Sequence, residues 1–232
     1  MLTQHAAERG MEISEQTFID ILPVITPAFS ARSEQLFYSG GTLVFTSPNA
    51  VKIVSENSRW NSGWYGDDSF RGDIRVYCLK GATCKALEEY MPSAFIAGTA
   101  DYSKELAELI IAEQRTSSVV FFCGNIRRNE LPDTLRSHNI TVEEIVVYDT
   151  VETPEALKEE FDGILFLSSS SVKSFFSANT LPKHTVCFAI GTTTAASLED
   201  VTNNRIVVSP RPTMDLLVQT AIFYFDNINC YE

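Results

Sequence analysis

Short apolar runs alternate along this chain with longer stretches whose apolar positions recur every three or four places. The short runs predict strands at 42–46, 74–79, 93–97 and 118–122. Helices follow them from Pro48, from Ala82, at 102–115 and at 126–138. The alternation returns with strands at 162–167, 185–190 and 205–208 and helices at 169–178, 193–203 and 213–227. Strand–helix alternation at this spacing gives βαβ units and a parallel sheet. Outside it, residues 3–10 predict a short helix stopped by Gly10, and TFIDILPVI (17–25) predicts a strand. The stretch 26–40, with its Pro, Gly and Ser, reads as a connector. EEIVVYDTVETP (143–154) is extended up to Pro154. Residues 58–72 hold both tryptophans without periodicity: a surface loop packed on its own aromatics, or one that gates a ligand.

The pattern repeats in its residues as well as its period. TLVFTSPNAVKIV (42–54) superimposes on GILFLSSSSVKSFF (163–176), with Phe45 on Phe166, Ser47 on Ser168, and Lys52 on Lys173. Residues 74–90 match 185–200, with Gly81 on Gly191 and Thr83 on Thr193. The helical run after Thr99 matches the run after Pro212. Three ordered matches predict two related α/β domains. Residues 1–25 and 155–232 form one, interrupted by 35–145 as the other. The connectors 26–34 and 146–154 run side by side as a hinge.

Composition narrows the partners. A chain of 232 residues, 44 % hydrophobic, can bury one large core or two small ones. Its net charge of −12 excludes a nucleic-acid partner, which needs a basic surface. No run approaches the roughly 20 apolar residues of a membrane span. The first twelve residues have no apolar core for a secretory leader. Five cysteines form no CxxC and fit reduced, buried thiols of a cytoplasmic protein. Three histidines at no ligand spacing give no metal site.

The candidate chemistry lies at the strand ends. In an open parallel sheet these are where ligands bind. Here they carry Thr46-Ser47-Pro48, Lys80 to Thr83, Gly98-Thr99, Gly124-Asn125, Ser168 to Ser171, Gly191 to Thr194 and Ser209 to Thr213. One reading is helix capping, worth about 1 kcal/mol each. The other is an anion site built from helix N-termini, able to hold a polycarboxylate on an acidic protein. GxGxxG, GxxxxGK[ST] and GxSxG signatures are missing from the positions where they would carry nucleotide or acyl chemistry. An enzyme built this way works largely by positioning a reactive substrate.

These motifs resemble the uroporphyrinogen-III synthase family over nearly the whole chain. They run in order as FTSPNAV (45–51), LKGATCKAL (79–87), FFCGNIRRNELPDTL (121–135), VEEIVVYDTV (142–151), FLSSSSV (166–172), FAIGTTTAASL (188–198) and SPRPTMDLLVQTA (209–221). The resemblance implies two flavodoxin-like parallel-sheet domains joined by a two-stranded connector, with the active site in the cleft between them. It implies a cofactor-free, monomeric, cytoplasmic enzyme of tetrapyrrole synthesis. That enzyme closes hydroxymethylbilane, a linear tetrapyrrole with eight carboxylates, into uroporphyrinogen III with ring D inverted and water lost. The family's tyrosine falls on Tyr148, as proton donor or orienting group for the departing hydroxyl, or as a packing aromatic of the hinge.

The resemblance also places substrate-binding positions. Thr46, Ser47, Thr83, Ser168, Ser170 and Thr193 fall on the family's Ser/Thr loops, beside Gly124, Asn125 and Gly191. Lys80, Arg127 and Arg211 stand by loop position as carboxylate partners. Two departures are visible. Thr192 replaces the proline of the family's IGPTT. The family's opening strand and its Arg-containing loop have no counterpart before Leu2-Thr3-Gln4: either the start is misassigned, or the terminal domain folds with a reduced sheet that lacks that strand. Strand 17–25 would then move in beside 162–167 and complete a four-stranded sheet. The alternative function is a non-catalytic protein on the same fold that grips a tetrapyrrole or another polyanion.

Overall fold

The computed structural model describes residues 6–60, 72–92 and 94–228. The chain divides into two compact units. Residues 21–150 form one, and 1–20 with 151–232 form the other. The chain passes between them twice, inside the strands β1 (Ile19–Pro23) and β6 (Thr141–Glu152).

The larger unit is built on β2 (Gly41–Phe45), β3 (Ile74–Leu79), β4 (Phe95–Ala100), β5 (Ser118–Gly124) and β6. The sheet order is β1-β6-β5-β2-β3-β4. β2 pairs in parallel with both β3 and β5, β3 with β4, and β5 with β6. Counted from β2, the parallel strands are wound 3-2-1-4-5, so the winding reverses between β2 and β5. Flavodoxin itself is wound 2-1-3-4-5.

A parallel sheet is buried on both faces, and its strands read as continuous apolar runs. Leu43, Phe45, Val76, Cys78, Val120 and Phe122 enter one core. Val44, Tyr77, Val119, Phe121 and Cys123 enter the other. Helices α1 (Pro27–Ser39), α2 (Pro48–Glu56) and α3 (Ala82–Tyr90) cover the first face. Helices α4 (Ser103–Glu113) and α5 (Glu130–Ser137) cover the second.

The smaller unit holds the parallel sheet β7 (Gly163–Phe166), β8 (Val186–Ala189) and β9 (Ile206–Val208). Central β8 is buried along its length. Helices α6 (Ser169–Ala178) and α7 (Thr192–Glu199) pack on one face through Val172, Phe175, Ala195 and Leu198. Helix α8 (Met214–Ile228) packs on the other through Leu217 and Ala221. Ala6, Met11 and Ile13 pack on the Val218–Ile222 stripe of α8, and Arg9 pairs with Asp226. The order β7-β8-β9 repeats β2-β3-β4, so the matched sequence segments occupy matched places.

Two expectations need correction. Residues 26–34 are not an extended connector, because they lie in α1. Pro27 stands at the start of the helix, and the Thr26 hydroxyl accepts from Phe29 N–H at 3.1 Å. Gly40 ends it at φ 73°, a left-handed turn that glycine takes without a Cβ clash. The Pro and Gly are start and stop signals, and Phe29, Ser33, Leu36 and Phe37 give a helical buried face. Secondly, 17–25 does not pair with 162–167. Val24 N–H donates to Val147 O at 2.8 Å, and Thr153 N–H donates to Phe18 O at 3.0 Å. Partner numbers rise on one strand as they fall on the other, so β1 lies antiparallel to β6. β1 is mostly exposed and ends at Pro23, which has no N–H to extend a ladder. It suits the edge of a sheet. The sheet of the smaller unit therefore has three strands among the described residues. The loop 61–71 and Cys230 lie outside the described residues, so the gating alternative falls outside them too. Trp60, inside them, is buried in the first core.

The aromatic centre of that core is Phe122. It is fully buried, stacks on Phe45 at 5.4 Å, and meets Phe29 and Trp60 edge-on at 6.1 and 6.0 Å. Phe122→Ala should destabilise the protein by about 3–5 kcal/mol. Urea unfolding checks this, and a loss below about 1 kcal/mol would mean that the core collapses around the gap.

Candidate active site

Ligands of open α/β sheets bind beyond the carboxyl ends of the strands, where the winding reverses. In the larger unit this point lies between β2 and β5. β2 leads through Thr46 and Ser47 into α2, and β5 ends at Gly124 before Asn125. Tyr148 of β6 is paired opposite Gly124.

Ser47 precedes α2 with extended backbone, the usual geometry of an N-cap. Its side chain makes no cap bond. Its Oγ instead accepts from the Tyr148 phenol at 2.9 Å, across 101 residues of sequence. Tyr148 is 8 % exposed, and Gly124 lies directly under its ring. Burial pushes the phenol pKa up, and the bond to Ser47 offsets only part of that. The group is therefore a neutral acid at physiological pH. Asn125 N–H donates to Tyr148 O at 3.0 Å, and Asn125 Oδ1 accepts from Thr150 N–H at 2.9 Å. Thr46, Ser47, Gly124, Asn125 and Tyr148 are thus gathered at one place.

Two of the three charged candidates, Lys80 and Arg127, are already engaged. Lys80 Nζ donates to Asp101 at 2.8 Å, and that bond raises its pKa. Arg127 pairs with Glu144, which also accepts from Arg136 at 2.7 Å. Burial pushes the Glu144 carboxyl up, but the bonds from Arg127 and Arg136 more than offset it and the net shift is downward. Sequence reasoning missed Glu144 and Asp101. The one available signal was an acid inside the apolar run VEEIVVY. Thr83 is buried in the first turn of α3. Cys78 and Cys123 thiols are pushed by burial to about 12 and about 11, so neither supplies a thiolate.

In the smaller unit Ser168 caps α6, accepting from Ser171 N–H at 3.1 Å. Ser170 is half-buried in the same turn. Ser169 Oγ donates to Thr193 O at 3.3 Å, which ties the start of α6 to that of α7. Gly191 precedes α7 without a side-chain cap, and a Cβ there would lie 3.9 Å from Pro212. Arg211 is exposed in that third loop, where its carbonyl accepts from Ser209 Oγ at 2.7 Å.

A family model described as uroporphyrinogen-III synthase HemD matches residues 2–219. The chain belongs to that family. The uroporphyrinogen-III synthase of Saccharomyces cerevisiae is 31 % identical over 144 residues, which are 51 % of this chain and 52 % of that protein. The chain thus spans about half the length of that curated relative. Solved structures of the uroporphyrinogen-III synthase family share the fold. The Helicobacter pylori enzyme superposes with a TM-score of 0.63 at 18 % identity, covering 93 % of this chain and 96 % of that one. A mutant of the Thermus thermophilus enzyme gives 0.65 at 15 % identity, covering 98 % and 94 %.

The raised phenol of Tyr148 has a measurable consequence for this family member. The ordinary tyrosine value is 10.0, and the folded value lies above it. The stability it contributes is complete below pH about 10 and is lost as pH rises through the folded pKa. Urea unfolding across pH 8–11.5 should therefore show a steeper alkaline decline in wild type than in Tyr148→Phe. Parallel declines would contradict the assignment.

Proposed function

We propose that this chain cyclises hydroxymethylbilane to uroporphyrinogen III, with ring D inverted and one water released. The match of the family model across residues 2–219 carries this reading. The site chemistry supports it. Loss of water breaks the C–O bond of the hydroxymethyl group, and its electron pair leaves with the oxygen. A neutral acid must deliver a proton to that oxygen. Tyr148, kept protonated by burial, fits the role, and its hydroxyl donates a hydrogen bond to Ser47 Oγ. Ring D attacks the positive carbon through its substituted α-carbon to give a spirocyclic intermediate. The bond from that α-carbon to the bridging methylene then breaks and re-forms at the free α-carbon of ring D, whose released proton restores the phenol. No electron is gained or lost, so the proposal needs no cofactor.

Carboxylate recognition falls mainly to backbone N–H groups. The α2, α3 and α7 starts have no side-chain cap. The nearby Lys80 and Arg127 already hold carboxylates of the protein itself. Helix N-termini stabilise anions through their partial positive charge. Thr46, Thr83, Ser168, Ser170, Gly191, Thr193 and Arg211 are the proposed substrate contacts in the loops that carry these ends. We read both units as flavodoxin-like parallel-sheet domains, joined by β1 and β6, in a cytoplasmic monomer.

Incubation of the purified protein with hydroxymethylbilane, followed by separation of the oxidised uroporphyrin isomers, tests the proposal. Isomer III should dominate over the isomer I that forms spontaneously. Isomer I alone, with measurable binding of the bilane, would establish the non-catalytic alternative instead. Tyr148→Phe should slow turnover by about 100- to 10,000-fold, the usual contribution of a general acid. Isomer III should remain its main product, because positioning persists without the phenol. A switch to isomer I in a folded Tyr148→Phe protein would overturn that division of labour.

A further inference from the structure

We propose that Gly124 and Asn125 are positioning residues for Tyr148, not contacts for the substrate. The proposal rests on the reading of Tyr148 as the acid. In a parallel ladder a residue donates its N–H to one partner carbonyl and accepts, on its own carbonyl, from the N–H two residues further along. Asn125 donates its N–H to Tyr148 O at 3.0 Å, as a ladder residue would. The N–H of Thr150 does not reach a backbone carbonyl of Asn125. It donates to Asn125 Oδ1 at 2.9 Å. The side-chain oxygen thus takes the place of the main-chain one. It adds a final rung to the β5–β6 ladder while the chain turns away toward Ile126. The same Oδ1 accepts from Ile126 N–H at 2.8 Å. Both partners are N–H donors, so the amide oxygen is fixed on this side.

This rung brackets Tyr148. One residue earlier, β6 carries a bulge. Cys123 pairs with Val146, but Gly124 pairs with Tyr148, which leaves Val147 as the extra residue. In a regular strand neighbours face opposite sides. Here Val147 and Tyr148 both enter the same core. The bulge turns the phenol inward, and Gly124 makes room for it. A Cβ on Gly124 would stand 2.5 Å from Tyr148 Cε2 and Cζ and 2.9 Å from its hydroxyl. Any side chain there displaces the ring from Ser47. Gly124 and Asn125 therefore aim the phenol just after the bulge, the first by leaving space and the second by locking the backbone.

Tyrosine labelled with ¹³C at Cζ, with the Tyr148 resonance assigned by its loss in Tyr148→Phe, reads this placement without substrate. Asn125→Asp keeps both acceptor bonds, so its Tyr148 resonance below pH 8, where the phenol is neutral, should coincide with that of wild type. Asn125→Leu and Gly124→Ala should move the Tyr148 midpoint toward that of exposed tyrosines and leave other tyrosines alone. With hydroxymethylbilane, Asn125→Leu should lower kcat by about 100-fold, the cost of a misplaced group. Its KM should stay within about threefold. A KM raised about tenfold or more in Asn125→Leu, with the Tyr148 resonance unmoved, would make Asn125 a substrate contact and overturn the proposal. An unmoved Tyr148 resonance in Gly124→Ala overturns it as well. If Asn125→Leu does not fold, the aspartate and alanine variants decide. If wild type does not turn the bilane over, the resonances still decide the positioning claim, separately from the reading of function.

Discussion

The hydrogen bond from Tyr148 to Ser47 joins the two sides of the point where the sheet reverses its winding. β2 and β5 are neighbours there, and β6 lies beyond β5. A phenol on β6 reaches the end of β2 only by crossing over the end of β5. It crosses above Gly124, which has no side chain to block it. The rest of the larger unit serves this crossing. Continuous apolar strands set the sheet, the bulge at Val147 turns Tyr148 inward, and Ser47 gives up its capping role to receive the phenol.

Local features of the fold were legible because local rules decide them. Helix α6 spans 169–178 as its pattern predicts, since Ser168 caps it and Val172 and Phe175 define its buried face. The repeat of β2-β3-β4 in β7-β8-β9 was visible as matched residues. Helix α1 was missed because its Pro and Gly were read as breakers without regard to position. The place of strand 17–25 was missed for another reason. A short, half-exposed strand carries no pattern that names its neighbour, and pairing is settled by the partner's free edge.

The site was legible in part. The family motifs pointed to Tyr148, Ser47, Gly124 and Asn125 one by one, yet nothing in the sequence joins residues 101 apart into one hydrogen bond. The charged candidates show the opposite limit. Lys80 and Arg127 stand in the expected loops, but Asp101 and Glu144 take them up. An acidic chain can carry basic residues near a site and still leave anion binding to its backbone.

A double-mutant cycle on Ser47→Ala and Tyr148→Phe tests the central interaction most directly. Groups that act through one shared bond are strongly non-additive, by about 0.5–3 kcal/mol. The double variant should be no less stable and no slower than Tyr148→Phe alone. Losses that simply add would show that the serine and the tyrosine act independently, and would contradict the account.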